Sequence, residues 1–278
     1  MSTLVNGQAC EAVSARDRGL AYGDGVFRTI RCEGSRLLSW VRHYAKLQAD
    51  CAALGIACPT EVVLLRDIGE LAPQDHVVKI TVTRGEAARG YAVDAMASPT
   101  RIVQLAPLPH YDATLFEQGA ALHVCDWPLA LQPRLAGVKH LNRLDQVMAR
   151  REWSDASIFD GLMLNARGEV VEGVICNLFM LNGLALTTHP LDDCGVAGVT
   201  RAAVLDLAAL LGWCVALRPF TMAELLRADG NFLTNSLAGV VPVGRIGATT
   251  WPNLPLVDSL RTQWKKLAES ESVACPHV

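Results

Sequence analysis

Lysine is scarce in this chain. Five lysines stand against 20 arginines in 278 residues, so ordinary cationic surface duty falls on arginine. Each lysine is then a candidate for chemistry that a permanently protonated guanidinium cannot perform. Charge of one sign is lacking too. The formal net charge is −3 and 19% of residues are charged, which offers no basic field to nucleic acid and makes small metabolites the expected partners. An anionic substrate must then be gripped by local arginines. No stretch reaches the roughly 18 consecutive apolar residues of a membrane span. The start, Met1-Ser2-Thr3-Leu4-Val5-Asn6-Gly7, lacks the basic flank and long apolar core of a secretory signal. A soluble cytoplasmic protein with no membrane contact is expected.

The nine cysteines are odd in number, scattered, and never arranged as Cys-x-x-Cys. This argues against a zinc site or a disulfide scaffold and for a reducing compartment, so no metal is expected. Internal repeats and low-complexity tracts are absent as well. What is plentiful is apolar side chain, 51% of the total, enough for one large or two smaller cores.

Asn6-Gly7 suggests a hairpin across Leu4 to Glu11, and Glu33-Gly34 a second one joining Val26 to Arg31 with Arg36 to Ser39. The spacing of Trp40, Tyr44, Leu47, Cys51 and Leu54 predicts a helix ended by Gly55. The β-branched run His76 to Thr83 reads as a strand, as does Arg101 to Leu105. Two prolines in Ala106-Pro107-Leu108-Pro109-His110-Tyr111-Asp112 mark a domain joint. Beyond it, strands are expected near Ala121 to Cys125, Gly161 to Asn165, Cys176 to Leu181 and Asn231 to Thr234. Helices are expected at Leu141 to Trp153, Thr200 to Leu211 and Ser259 to Glu269. The pattern is α+β, with a smaller N-terminal domain (1–110) and a larger C-terminal one (111–278).

Lys139 is the strongest nucleophile candidate. It enters an apolar run, Leu135 to Val147, where an ammonium loses hydration and its neutral, Schiff-base-forming amine is favoured. Lys265 and Lys266 lie in a polar segment, Lys79 in an alternating strand and Lys46 on an amphipathic helix. Taken alone, Glu172 after a Val-Val strand could end that strand at the surface. The run Gly195-Val196-Ala197-Gly198-Val199-Thr200-Arg201 could hold an anion at a helix start or be an ordinary capped turn.

Several segments together resemble the fold-type IV pyridoxal phosphate enzymes, the group of branched-chain and D-amino-acid aminotransferases and aminodeoxychorismate lyase. They are Asp17 to Thr29, the helix beginning Arg42-His43, Thr83-Arg84-Gly85 through Tyr91, the Lys139 segment, Val171-Glu172-Gly173 through Phe179, Gly195 to Arg201, and Leu233 to Ser236 with Pro242-Val243. Lys-His-Leu-Asn-Arg-Leu at 139–144 and Thr29 after Phe27-Arg28 look like the lyase. The resemblance implies a two-domain architecture like that of the D-amino-acid aminotransferases, pyridoxal 5'-phosphate as cofactor and a homodimer. It implies that Lys139 carries the cofactor and moves a proton, that Glu172 pairs with the pyridine nitrogen, and that Val199, Thr200, Asn235 and Ser236 hold the phosphate. Thr29 would deliver a proton to the leaving group, and Arg89 and Tyr91 would bind the substrate carboxylate. Lys46 departs from the usual arginine and would serve the phosphate as a point charge, alone or with Arg42. The implied reaction releases 4-aminobenzoate and pyruvate from 4-amino-4-deoxychorismate. The alternatives are an aminotransferase of the same fold and a noncatalytic cofactor-binding protein.

Overall fold

The computed structural model describes residues 2–93 and 97–276. Its contacts divide the chain into two units: Met1–Pro109 with Val138–Asn142 and Ala268–Val278, and His110–Gly137 with Arg143–Leu267.

The first unit carries β1 (Thr3–Val5), β2 (Gln8–Ala9), α1 (Arg18–Tyr22), β3 (Gly25–Glu33), β4 (Arg36–Leu37), α2 (Trp40–Ala53), α3 (Glu61–Leu71), β5 (His76–Thr83) and β6 (Thr100–Pro107). Both expected hairpins form. Asn6 and Gly7 at the first turn, and Gly34 and Ser35 at the second, take the positive φ that tight turns between twisted strands require. With the C-terminal β16 (Val273–Ala274), the strands make an antiparallel sheet in the order β16-β4-β3-β5-β6-β1-β2. Along β3, Val26, Arg28, Ile30 and Cys32 are buried and alternate with half-exposed Phe27, Thr29 and Arg31. The period of two turns the first set toward Leu47 and Cys51 of α2 and Leu64 and Ile68 of α3. Helix α3 was not expected from the sequence. Its buried Leu64, Asp67 and Ile68 sit at helical spacing, but Val62-Val63-Leu64-Leu65 blurs the stripe and Gly69 weakens it.

The second unit holds α4 (Ala113–Glu117), β7 (Ala120–Val124), α5 (Leu144–Arg150), β8 (Ile158–Leu164), β9 (Val170–Gly173), β10 (Asn177–Asn182), β11 (Ala185–Thr188), α6 (Val199–Leu210), β12 (Cys214–Leu217), α7 (Met222–Leu226), β13 (Gly230–Asn235), β14 (Gly239–Ile246) and β15 (Thr249–Thr250). Helix α8 (Pro255–Ser270) runs to the start of the chain's last segment. The sheet follows β12-β11-β10-β13-β14-β7-β8-β9, and β9 pairs back onto β10 through Glu172 and Asn177, closing six strands into a ring. Leu162, Val170, Leu178, Leu233 and Val241 fill it.

Two expected elements need correction. The helix predicted from Leu141 begins only at Leu144, because Leu141 donates its N–H to Gly25 O (2.9 Å) and His140 bridges Val26, so this stretch is extended. A Cβ on Gly25 would come 2.6 Å from Val82 O and 2.8 Å from Leu141 Cδ1, which requires glycine there. At the joint, β6 continues to Pro107, opposite His76, and stops there.

Candidate active site

Lys139 is half-buried and held by its main chain on both sides. Its carbonyl accepts the Phe27 N–H (3.0 Å) and its own N–H donates to Asp50 Oδ2 (3.3 Å). Its Nζ stands 4.5 Å from the centre of the Phe27 ring. This puts the amine on the Phe27 face of β3, which is also the face of Thr29 two residues on. Lys79 on β5 lies directly opposite Thr29, and its Nζ is 5.6 Å from the same ring. Two amines and a hydroxyl therefore share one patch of sheet. In the sequence Lys79 is one position of an alternating strand. Only the β3–β5 register reveals its place.

Behind that face lies an ion cluster. The Asp50 carboxylate, 2% exposed in its side chain, pairs with Arg28, Lys46 and the Lys139 N–H. Burial pulls both Arg28 and Lys46 down from their usual values, and Asp50 opposes it in each. Removing one partner of such a buried pair costs about 3–5 kcal/mol. His43, fully buried, is pushed down to about 3, first by burial and then by the charges of Arg28 and Lys139. It is thus neutral at physiological pH. Arg42, the alternative sharer of the Lys46 task, lays its Nε on both oxygens of Glu271 (3.0 and 2.7 Å).

Arg89 and Tyr91 are exposed on the loop after Gly85. Arg18 grips that loop from within through the carbonyls of Gly90 (2.9 Å) and Ala92 (3.3 Å), and the Tyr91 ring leans on Tyr22. Arg84 and Arg101 are committed elsewhere, to Asp24 and Asp67.

In the second unit, Glu172 is 3% exposed between apolar neighbours on β9. Oε2 accepts the Val196 N–H (2.9 Å) and the Asn177 side-chain amide (3.0 Å). Asn177 is the residue that the sequence reading missed. The other atom of its amide, Oδ1, accepts the Gly198 N–H (3.1 Å), and Nδ2 also reaches Val196 O (2.7 Å), so one side chain ties Glu172 to the start of α6. Val199 and Thr200 are the first residues of that helix, whose leading N–H groups have no acceptor within it. A Cβ on Gly198 would fall 2.2 Å from Asn177 Oδ1, so only glycine lets the helix start come so close. Asn177 pairs across the sheet with Thr234, which brings the turn of Asn235 and Ser236 to the same end of the strands. Asn235 Oδ1 accepts the N–H groups of Leu237 (2.9 Å) and Ala238 (2.7 Å), which shapes that turn, and Thr234 Oγ1 is buried without a partner among the described residues.

Each unit, taken by itself, carries groups whose chemistry suits pyridoxal phosphate. The first unit has an amine fixed by its own backbone; the second has a buried carboxylate oriented by neutral donors and a glycine-led helix start beside a Thr-Asn-Ser turn. A separate group, His123, Cys125 and Glu152, brings ligand atoms within 4.8 Å of one another, a juxtaposition that cysteine spacing could not reveal. Glu152 is already accepting the N–H groups of Asp126 and Trp127 as well as facing His123, so the group also reads as a loop tie.

Comparison with known proteins matches residues 25–246 to the family described as amino-transferase class IV. An aminodeoxychorismate lyase of Vibrio harveyi is 35% identical over 246 residues, covering 88% of this chain and 91% of the relative. A D-alanine aminotransferase of Bacillus licheniformis is 30% identical over 259 residues, 90% of each. A crystal structure of 4-amino-4-deoxychorismate lyase from Pseudomonas aeruginosa superposes with a TM-score of 0.89 at 44% identity, covering 95% of this chain and 98% of that one.

Proposed function

Because the chain belongs to the class IV aminotransferase family, we propose that it is a pyridoxal-phosphate-dependent lyase converting 4-amino-4-deoxychorismate to 4-aminobenzoate and pyruvate, a step toward folate. One observation carries the choice of reaction: the hydroxyl of Thr29 shares a strand face with Phe27, over whose ring the Lys139 amine lies. A lyase needs both a base and a proton donor on the substrate side, and that face offers both.

Lys139 would anchor the cofactor covalently, Glu172 would keep its pyridine nitrogen protonated, and Val199, Thr200, Ser236 and the main chain of Asn235 would take its phosphate, with Lys46 as a point charge. When bound, the cofactor supplies an electron sink for the charge left by proton removal. Once the substrate's amine has displaced it, Lys139 would be a free neutral amine able to take the proton from the amine-bearing ring carbon of the substrate. The bond from the ring to the enolpyruvyl oxygen then breaks, and the ring becomes aromatic. Thr29 gives its proton to the methylene carbon of the departing enolpyruvate, making pyruvate, and Lys139 returns a proton to Thr29. Lys79 and the loop residues Arg89 and Tyr91 bind the substrate carboxylates. We further infer a cytoplasmic homodimer. Among the described residues, no helix is long and apolar enough to cross a membrane.

The test is to supply aminodeoxychorismate without any keto acid and follow 4-aminobenzoate fluorescence. Product without an acceptor is expected. Turnover only when a keto acid is added would make the protein an aminotransferase, and none under either condition would make it a noncatalytic binder.

A further inference from the structure

Arg28 lies between Val26 and Ile30 on the helix-facing side of β3, both fully buried, where a guanidinium is costly unless paired. Asp50, at the C-terminal end of α2, supplies the pair. Through Oδ1 the same carboxylate takes the Lys46 ammonium one helical turn earlier, and through Oδ2 it takes the Lys139 main-chain N–H at 3.3 Å. One buried anion thus touches both the amine assigned to the phosphate and the segment that carries the nucleophile. Packing alone needs none of this, because apolar side chains would fill the same space without the desolvation cost. Arg28 Nε is buried without a partner among the described residues, so the side chain is committed to Asp50 through its Nη2 end.

We propose that Asp50, clamped by Arg28, is a positioning residue that sets Lys46 and the Lys139 backbone where cofactor attachment needs them. The inference rests on the reading of Lys139 and Lys46 as cofactor residues. It adds that their placement depends on a buried ion pair which itself need not touch the cofactor.

The decisive variant joins Arg28→Met with Asp50→Leu. It removes one charge of each sign at similar volume, so the net charge of the site, and its long-range attraction for a phosphate, stay the same. Lys46 loses its carboxylate partner and the Lys139 N–H its acceptor, which frees both from their present placement. Cofactor-free native and variant proteins would be titrated with pyridoxal phosphate, melted, and timed for borohydride-fixed labelling of Lys139. The double variant is expected to stay folded but to melt somewhat below the native temperature, because Lys46 loses its partner, while its affinity and labelling rate fall at least about tenfold, as misplacement by an ångström can cause. If it does not fold, Asp50→Glu carries the test. That change keeps the charge but moves the carboxylate, and a loss of roughly threefold or more in labelling rate with native melting is expected. A folded variant that binds and labels within about twofold of native overturns the positioning role alone. Native protein that takes up no cofactor overturns the functional reading together with it.

Discussion

The Lys139 Nζ stands 4.5 Å from the centre of the Phe27 ring, while the Phe27 N–H donates to the Lys139 carbonyl at 3.0 Å. The two residues hold each other by side chain and by main chain, so the amine has little freedom to leave its face of β3. Lys139→Ala should therefore abolish covalent cofactor attachment even though Lys79 faces the same ring from 5.6 Å, because Lys79 is exposed and held by its own strand. Borohydride reduction followed by peptide mass analysis checks this. A cofactor adduct found on Lys79 or Lys46 of the native protein would refute the assignment.

Glu172→Gln keeps the shape of a side chain that accepts from Val196 and Asn177 and removes its charge. Binding of the cofactor should persist while turnover falls by roughly tenfold or more, since an amide cannot keep the pyridine nitrogen protonated. Single-turnover rates near native would remove Glu172 from the mechanism.

Thr29→Val retains a β-branched strand residue opposite Lys79 and deletes the hydroxyl. Pyruvate formation should slow by about 10²-fold with little change in cofactor affinity, the usual scale for a lost proton donor. Undiminished lyase turnover would pass proton delivery to Lys139 or to water.

His43 makes stability depend on pH. In the fold it titrates at about 3, against 6.5 in the unfolded chain, so the unfolded state binds the extra proton between those values. Its contribution is fully present above pH 6.5 and is lost as pH falls toward 3. Buried Asp160, raised to about 7 from 3.8 by burial, works the other way, its contribution present below 3.8 and lost as pH rises through 7. Replacing His43 with Leu isolates the first effect. Native stability relative to the variant should drop by roughly 1–4 kcal/mol between pH 7 and about pH 4 in urea unfolding. Parallel curves for the two proteins would mean that His43 is not held neutral in the fold.

Much of the chain was legible one residue at a time. Asn6-Gly7 and Gly34 marked turns because few residues accept positive φ, and the alternation in His76 to Thr83 marked a strand because a sheet with one buried face imposes a period of two. Lysine scarcity pointed to Lys139. The α3 helix escaped because an apolar run with no clean stripe does not state its own period, and Leu141 to Arg143 read as helix because local pattern cannot register a hydrogen bond to Gly25, more than a hundred positions away.

What the sequence determined by itself was the family and most strands, since these depend on residue type and near spacing. The tertiary structure alone decided that Lys79 shares the Phe27 ring with Lys139, that Asn177 links Glu172 to the start of α6, and that Asp50 gathers Arg28, Lys46 and the Lys139 backbone. Strand register and helix packing bring those groups together across tens of residues. A charge or a hydrogen bond acts over a few ångströms of space, whatever the distance along the chain.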